Sequence, residues 1–319
     1  MKVSVLGCGR WGTFLAWYSA KIGHDVILWG REGSENYKTL KEDGKNEYLS
    51  LPSNLELSNS LERAVTESDY IIISISSQSL REFVRQISQF ELENKTFILA
   101  MKGIESSTGK RLSQVFNEEV KDHYNLAIWV GPGHVQDFVK GVPNAMVISS
   151  DNIEVTKDIV ETFGSDLIRF YYGQDMIGNE IGAAAKNVMG IAAGMLDGFK
   201  YSSLKGALMA RGAREVSRLV RAMGGNELTV YGLSHLGDYE ATLFSPHSHN
   251  RRFGEQFVKG EVFKKLAEGV HTVKALKLLS EHHELEMPIS DAIHSIVHEN
   301  KDAKEVLLDL FIRPIKFEF

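Results

Sequence analysis

The stretch VSVLGCGRWGTF, residues 3–14, decides the fold of this chain. Residues 3–6 are apolar except for Ser4 and have the length of a short buried strand. Gly7, Gly9 and Gly12 follow at once, and an alanine-containing helical pattern begins directly after them. A GxGxxG motif alone is weak evidence, but between a first strand and a helix it is typical of a phosphate-binding turn.

The three glycines serve different purposes in such a turn. The first permits a tight turn, the second lets the backbone approach a pyrophosphate, and the third lets helix and strand pack closely. The helix N-terminus adds amide donors and the positive end of the helix dipole. We therefore predict dinucleotide binding at residues 7–12; the alternative is a turn that is glycine-rich without this function.

The chain alternates strands with helices in its first half and is helical in its second. The length of 319 residues predicts two domains of ordinary size. Up to residue 172, short β-branched runs alternate with helical periods, which predicts a doubly wound parallel sheet covered on both faces. From residue 175 only helical periods occur, one of them at residues 260–267. The predicted fold class is α/β, with a Rossmann-like N-terminal domain at residues 1–174 and an all-helical C-terminal domain at residues 175–319.

Composition narrows the class of protein. Lys plus Arg number 36 against 42 Asp plus Glu, and the net charge of −6 gives no broad field for attracting nucleic acid or anionic lipid. The single cysteine, Cys8, cannot form an intramolecular disulfide, so the chain needs no oxidising compartment. The apolar runs are too short for a membrane span or a signal-peptide core. We expect a cytoplasmic protein that does not bind nucleic acid and does not insert into a membrane.

Two residues after the second predicted strand give opposite indications about the cofactor. An acidic residue there binds the ribose hydroxyls of NAD, whereas an arginine meets the additional phosphate of NADP. Arg31 and Glu32 both follow the strand that ends at Trp29. The choice between NAD and NADP stays open, with a lean to NADP because Arg31 is nearer to the strand end.

One lysine of the second half lies among very small residues. Lys186 falls in NEIGAAAKNVMG, residues 179–190, and its helical neighbours at three and four residues' distance are alanine, glycine and methionine. Another element can approach such a helix closely, and a lysine there loses solvation, which lowers its pKa and lets it exchange a proton near neutrality. The alternative is a lysine whose ammonium reaches solvent past a packing helix.

Two further candidates lie at the carboxyl ends of predicted strands, where open α/β sheets bind their ligands. Lys102 follows the strand that ends near residue 100. The sequence GPGH, residues 131–134, follows another strand and offers backbone amides to an anion.

A polar stretch interrupts the helical half. It contains Gly-Asp at residues 237–238, Thr242, and SHNRR at residues 248–252, in which adjacent arginines suit a phosphate. A solvated loop would have the same composition. The spacing of the histidines is not that of a zinc site, so we expect no metal; these histidines are His235, His247 and His249.

In this order, the motifs resemble those of the NAD(P)-dependent glycerol-3-phosphate dehydrogenases in their bacterial form, over nearly the whole chain. The long segment around Lys186 is the most specific of them. The matching segments are GCGRWGT at residues 7–13, NEYL at 46–49, KGIE at 102–105, GPGH at 131–134, EIGAAAKNVMGIAAGMLDG at 180–198, GLSHLGD at 232–238 and HNRRFGE at 249–255.

The resemblance implies reversible reduction of dihydroxyacetone phosphate to sn-glycerol 3-phosphate, the precursor of glycerophospholipids, by a homodimer. It implies that Lys186 is the proton-transferring residue, with Lys102 and Asp238 beside it. Motif and resemblance together give the expected cofactor contacts, which are Gly7, Gly9, Arg10, Trp11, Gly12, Arg31, Tyr48, Lys102, Val135, His249 and Glu268. The expected substrate contacts are Lys102, Gly131, Gly133, Lys186, Asp238, Thr242, Ser248, His249, Asn250 and Arg251.

The chain departs from the family pattern at several of these positions. Gly133 stands where the family usually has serine, and His249 where it usually has arginine, which removes a permanent charge beside the nucleotide and the substrate phosphate. Arg10 often corresponds to a serine and Glu32 to a basic residue. The alternatives are a related two-domain dehydrogenase of another hydroxy acid or polyol phosphate, and a non-catalytic NAD(P)-sensing protein.

Overall fold

The computed structural model describes residues 1–312, 314 and 317. The described chain divides into two compact units, one of residues 1–102 and 111–180, the other of residues 103–110 and those from 181 onward. The last positions of the predicted C-terminal domain, 313, 315, 316, 318 and 319, lie outside the described residues. The predicted domain boundary after residue 174 stays a prediction.

The first unit is built on one sheet. Its strands are β1 Lys2–Leu6, β2 Asp25–Trp29, β3 Leu55–Ser58, β4 Tyr70–Ile73, β5 Thr96–Leu99, β6 Asn125–Val130, β7 Asn144–Ser149 and β8 Ile168–Gly173. Among the described residues they form an eight-stranded sheet in the order β3-β2-β1-β4-β5-β6-β7-β8. The strand order reverses between β1 and β4, which is the doubly wound topology that the sequence predicts.

The sheet is parallel at every pair except β6 and β7, which are antiparallel. The predicted parallel sheet is therefore confirmed at every strand pair but this one. The reason lies in residues 131–143, whose helix α6 Val135–Val139 has only five residues. A helix of that length is too short to carry the chain across the sheet face and back, as a parallel crossover requires.

The burial of the central strands matches coverage on both faces. Every residue of β4 and β5 is buried, as expected for strands with helices above and below. The edge strand β3 was missed by the sequence analysis because its four residues, LELS, include no β-branched side chain and are only partly buried.

Helices of the first unit follow the strands in turn. They are α1 Arg10–Lys21, α2 Glu35–Asp43, α3 Leu61–Thr66, α4 Leu80–Ile87, α5 Leu112–Glu119, the short α6 and α7 Ile153–Phe163. The side chains of Ser34, Ser60 and Asn152 accept amide hydrogen bonds at the N-termini of α2, α3 and α7, which explains where those three begin.

The second unit is helical, as predicted. Its helices are α8 Met176–Gly198, whose first residues belong to the first unit, α9 Lys205–Ala222, α10 His249–Val258, α11 Glu268–His282, α12 Pro288–Glu299 and α13 Ala303–Asp309. Residues 236–252 include a 3₁₀ turn, Leu236–Asp238, and a π-helical turn, Glu240–Phe244. The prediction of a helix at residues 260–267 was wrong. Apolar side chains that suggested it do not pack against the protein, since Val262 is 81% and Leu266 50% exposed.

Small residues bring α8 and α10 into backbone contact. A Cβ added at Gly194 of α8 would lie 1.8 Å from the carbonyl oxygen of Arg251 on α10. The alanine and glycine content of α8 therefore serves close packing, in addition to anything it does for Lys186. Among residues 1–312, the helices lack the length and apolar character needed to cross a membrane.

Candidate active site

The glycine turn after β1 has a different environment at each glycine. Gly7 has φ +120°, and a Cβ there would lie 2.3 Å from the carbonyl oxygen of Ser74. A Cβ at Gly12 would lie 1.9 Å from the carbonyl oxygen of Gly7. A Cβ at Gly9, the residue that precedes α1, would meet nothing within 4 Å. The first and third glycines are thus required by the protein's own packing, whereas Gly9 faces open space.

These residues fit the pyrophosphate of a dinucleotide. Gly9 leaves room for a close approach to the backbone, and no side chain caps the N-terminus of α1. The first amides of a 12-residue helix can therefore donate to an anion, with the helix dipole adding positive potential. The turn lies beside the switch point of the sheet, where doubly wound folds bind nucleotides.

The other cofactor candidates of the first unit lie on several separate segments of the chain. Arg31 is exposed just beyond β2, as is Glu32. The Arg10 guanidinium carbon lies 5.9 Å from the centroid of the Tyr48 ring, so these two side chains are neighbours. The Trp11 ring packs at tilted angles against two aromatic rings, with centroid distances of 5.0 Å to Phe14 and 6.4 Å to Phe138. Val135 is buried.

Lys102 contacts one of the predicted glycines. Its Nζ donates a hydrogen bond of 2.7 Å to the carbonyl oxygen of Gly131. Gly131 and Gly133 have φ values of +136° and +153°, and a Cβ at Gly133 would lie 2.2 Å from the Phe138 ring. Serine, the usual family residue at position 133, would therefore be strained in this backbone conformation.

Lys186 is buried in the second unit and is paired. Its Nζ lies 2.9 Å from Asp238 Oδ2 and donates to Thr242 Oγ1 at 2.6 Å. The side chains of Lys186 and Asp238 are 8% and 2% exposed. The predicted close approach of another element to α8 is therefore present, and that element is the segment that runs from the 3₁₀ turn into the π-helical turn.

Two buried residues of this segment were not among the expected contacts. His235 Nδ1 lies 2.7 Å from the carbonyl oxygen of Gly182 on α8, and His235 Nε2 lies 2.6 Å from the hydroxyl of Tyr239. Burial lowers the pKa of His235 to about 4, so the ring is neutral at physiological pH. The sequence signal was the four-residue spacing of His235 and Tyr239 around Asp238; the sequence analysis considered only the histidine, and only as part of a zinc site.

The start of α10 carries most of the remaining substrate candidates. Ser248 accepts the amide of Arg251 and caps the helix. The Asn250 side chain donates to Asn187 Oδ1 at 3.0 Å and accepts the amide of Gly269 at 2.9 Å, so Asn187 is a further residue that the sequence analysis missed. These bonds tie α8, α10 and α11 together one residue beyond Lys186.

Arg251 is engaged within the protein. Its Nη1 lies 2.6 Å from Asp197 Oδ2 and 3.2 Å from Glu255 Oε2, and its Nε donates to the Ser245 carbonyl oxygen. Asp197 also accepts from Lys205 Nζ at 2.6 Å. This geometry favours a role in holding α10 against α8, and the expected contact of Arg251 with the substrate phosphate stays a prediction.

Two residues expected at the cofactor are the first residues of α10 and α11. His249 Nδ1 lies 3.2 Å from the carbonyl oxygen of Leu266, and Glu268 is the first residue of α11. Because a carbonyl only accepts, this Nδ1 carries the proton. Among the described residues, no group of three or more His, Cys, Asp or Glu is placed to hold a metal ion.

A reaction that moves a hydride from a dinucleotide to a carbonyl needs a site for a pyrophosphate and a proton donor shielded from water. The first unit contains a glycine turn that fits a pyrophosphate, and the second contains a buried lysine with a carboxylate partner. A dinucleotide-binding unit together with a buried lysine in a second unit is typical of an NAD(P)-dependent oxidoreductase with a Rossmann-like domain.

Comparisons with known proteins identify the family. Residues 2–156 match the model of the NAD-dependent glycerol-3-phosphate dehydrogenase N-terminus, and residues 175–308 match that of the C-terminus. The chain therefore belongs to the NAD-dependent glycerol-3-phosphate dehydrogenase family.

Individual relatives match from end to end. The glycerol-3-phosphate dehydrogenase [NAD(P)+] of Pelodictyon phaeoclathratiforme is 36% identical, over 100% of this chain and 99% of the relative. The protein of the same name from Thermoanaerobacter sp. is 34% identical with the same coverage. A crystal structure of glycerol-3-phosphate dehydrogenase from Coxiella burnetii is 29% identical, with a TM-score of 0.91 over 98% of this chain and 99% of that chain.

Proposed function

We propose that this protein is a glycerol-3-phosphate dehydrogenase that reversibly reduces dihydroxyacetone phosphate to sn-glycerol 3-phosphate with NADH or NADPH. The observation that carries the proposal is the buried contact of 2.9 Å between Lys186 Nζ and Asp238 Oδ2. Family membership and relatives of the same full length support the choice of substrate.

Lys186 is the proton donor in this proposal. Reduction of the ketone requires a hydride at C2 and a proton on the C2 oxygen, and the bound dinucleotide supplies the hydride. Lys186 Nζ gives its proton to the C2 oxygen as negative charge develops there. In the oxidising direction the same nitrogen accepts the proton of the C2 hydroxyl.

Asp238 and Thr242 orient that ammonium. The carboxylate and the hydroxyl accept hydrogen bonds from Nζ, which directs two of its protons toward the protein and fixes the nitrogen in place. Proton transfer depends on such fixed geometry, because a donor must lie within hydrogen-bond reach of the reacting oxygen. We assign Lys102, whose Nζ is held by the Gly131 carbonyl, to the orientation of the substrate oxygens.

The N-terminal turn of α10 is assigned to the substrate phosphate. This turn contains Ser248, His249 and Asn250. The helix dipole stabilises an anion bound at this end of the helix. We assign Arg251 to the support of this turn through Asp197.

The glycine turn is assigned to the cofactor pyrophosphate, and Arg31 to the additional phosphate of NADP. The flanking positions are assigned to the rest of the dinucleotide; they are Arg10, Trp11, Tyr48, Val135, His249 and Glu268. We further propose that the enzyme is a cytoplasmic homodimer that supplies glycerol phosphate for glycerophospholipid synthesis.

Absorbance of NAD(P)H, followed with purified protein, tests the proposal. NADH and NADPH are run in parallel with dihydroxyacetone phosphate, and unphosphorylated dihydroxyacetone and ketopantoate serve as controls. Oxidation that requires the phosphate ester is the expected result. Equal rates without the phosphate would favour a related dehydrogenase, and cofactor binding without turnover of any ketone would favour a sensing protein.

A further inference from the structure

The segment that carries Asp238 is attached to α8 by His235, and Tyr239 holds the other side of the His235 ring; the proposed mechanism uses neither side chain. His235 is completely buried, and its Nδ1 lies 2.7 Å from the carbonyl oxygen of Gly182. A Cβ at Gly182 would lie 3.0 Å from the Cβ of His235, so the glycine is what allows this approach. On the other side of the ring, Nε2 lies 2.6 Å from the hydroxyl of Tyr239, which is also completely buried.

The hydrogen-bond partners determine the protonation of the histidine ring. The Gly182 carbonyl can only accept, so Nδ1 carries a proton and donates it. Nε2 then accepts from the Tyr239 hydroxyl in a neutral ring. Both polar ends of the imidazole are thereby satisfied within the buried interior, which makes the position of the ring well defined.

The backbone couples the position of Asp238 to that of His235. The Asp238 amide donates to the His235 carbonyl oxygen at 3.0 Å, within the 3₁₀ turn that His235 and Tyr239 flank. Gly182 and Lys186 lie one helical turn apart on the same face of α8. The histidine thus fastens the turn to α8 at Gly182, and Asp238 meets Lys186 one turn further along.

We infer that His235 and Tyr239 form a brace that holds Asp238 against Lys186 and so sets the orientation of the Lys186 ammonium for proton transfer. The kinetic part of this inference rests on the proposed function, whereas the geometric part does not. His235 and Tyr239 are positioning residues, since they act on the reaction through Asp238.

The charge state of the brace matters as well as its position. The charges of Lys186 and Asp238 act on His235, and the charge of Glu215 acts on Tyr239. A neutral ring does not compete with Lys186 for the Asp238 carboxylate. A protonated ring would add a second positive charge beside the ammonium and would turn Nε2 into a donor.

Two substitutions of the histidine separate the hydrogen bond from the packing. His235→Asn places an amide donor where Nδ1 stands, and keeps the bond to Gly182 while leaving a gap. His235→Leu fills nearly the volume of the ring but has no donor. If the brace acts through its hydrogen bond, the asparagine variant is the better enzyme; if the residue only fills space, the leucine variant is better.

The first readout is turnover of dihydroxyacetone phosphate across the pH range. His235→Leu is expected to lower kcat about tenfold and to move the alkaline fall in rate to lower pH, because the ammonium loses the neighbouring carboxylate. His235→Asn is expected to stay within about threefold of wild type, and Tyr239→Phe to shift the profile in the same direction as leucine by a smaller amount. The KM for dihydroxyacetone phosphate and the Kd for NADH should stay unchanged.

The second readout needs no turnover. Trace acetylation of the protein without ligands, followed by mass spectrometry of the peptide that contains Lys186, reports the pH at which this amine becomes reactive. The expected result is labelling at lower pH in His235→Leu than in wild type, and a wild-type profile in His235→Asn. If His235→Leu does not fold, the comparison of Tyr239→Phe with wild type decides.

An unchanged labelling profile in the folded leucine variant, or in Tyr239→Phe where leucine does not fold, would overturn the brace. An asparagine variant that is worse than the leucine variant in kcat would do the same. Failure of the proposed function gives a different pattern, in which wild type does not oxidise NAD(P)H with dihydroxyacetone phosphate while the labelling profiles still separate the variants.

Discussion

Lys186 Nζ and Asp238 Oδ2 lie 2.9 Å apart, and 8% of the lysine side chain and 2% of the aspartate side chain are exposed. The two charges depend on each other, because a single charge at this depth would lack both water and a partner. A second buried lysine, Lys205, forms a similar pair with Asp197 at 2.6 Å in the same unit. The two pairs allow a catalytic role to be separated from a structural one.

Lys186→Met is expected to lower kcat about a thousandfold or more with retained NADH binding, because the proton donor is removed and the glycine turn is untouched. Steady-state NADH oxidation and NADH fluorescence titration measure the two properties. The matched control, Lys205→Met, loses a buried ion pair and is expected to lower stability with a kcat within about threefold of wild type. Similar kcat losses in both variants would show that Lys186 acts only on the fold.

Gly9→Ala and Gly12→Ala test the cofactor site in the glycine turn. A methyl group at Gly9 enters open space, so we expect a change in unfolding free energy below about 0.5 kcal/mol and an increase of about tenfold in the Kd for NADH. A methyl group at Gly12 would meet the Gly7 carbonyl, so a loss of about 3 kcal/mol or more is expected. Urea unfolding and fluorescence titration are the measurements. Unchanged NADH affinity in Gly9→Ala would place the pyrophosphate elsewhere.

Arg31→Ala tests the lean to NADP. The exposed arginine is expected to meet the additional phosphate, and its removal should raise the KM for NADPH about tenfold while the KM for NADH changes less than about twofold. Glu32→Ala is the neighbouring control and should leave the KM for NADPH equal or lower. The opposite result, in which Glu32→Ala raises the KM for NADH and Arg31→Ala has no effect, would establish NAD as the cofactor.

Arg251→Met and Asn250→Ala separate support of α10 from binding of the phosphate. Arg251 is held by Asp197 and Glu255, so its loss should lower the unfolding free energy by about 2 kcal/mol with a KM for dihydroxyacetone phosphate within about threefold. Asn250→Ala should raise that KM about tenfold. A larger KM increase in Arg251→Met than in Asn250→Ala would instead assign the phosphate to the arginine.

The pKa of His235 predicts an acid-sensitive stability. Burial lowers this pKa to about 4 from the ordinary 6.5. Between these two pH values the imidazole is therefore protonated in the unfolded chain and neutral in the folded chain. The unfolding free energy should therefore fall as pH drops from 6.5 to 4, by about 3 kcal/mol from this group. His235→Asn lacks the titration, so its stability deficit relative to wild type, measured by urea unfolding, should narrow over that range. A constant deficit would contradict the prediction.

Much of the architecture was predictable from local patterns. The strand and glycine turn at residues 3–12 predict the nucleotide-binding unit. A glycine is needed at the tight turn, at the position that a pyrophosphate approaches and at the position where helix and strand pack closely, and these three positions have a fixed spacing. The long helical period around Lys186 predicts α8, because helical periodicity is also a local property of the sequence. The edge strand β3 was missed because its four residues include no β-branched side chain. The helix α10 was missed because its first residues, HNRR, are polar and give no apolar period.

What only the tertiary structure decided is which side chains meet. The sequence by itself determined that Lys186 stands in a helix of small residues. The family resemblance indicated Asp238 as its partner, 52 positions further along the chain. The bonds from His235 to Gly182 and Tyr239, and the capture of Arg251 by Asp197, follow from the packing of the 3₁₀ turn and α10 on α8. Local periodicity encodes which face of an element is buried, but hydrogen bonds between distant residues depend on how the elements pack, and that is a property of the folded chain as a whole.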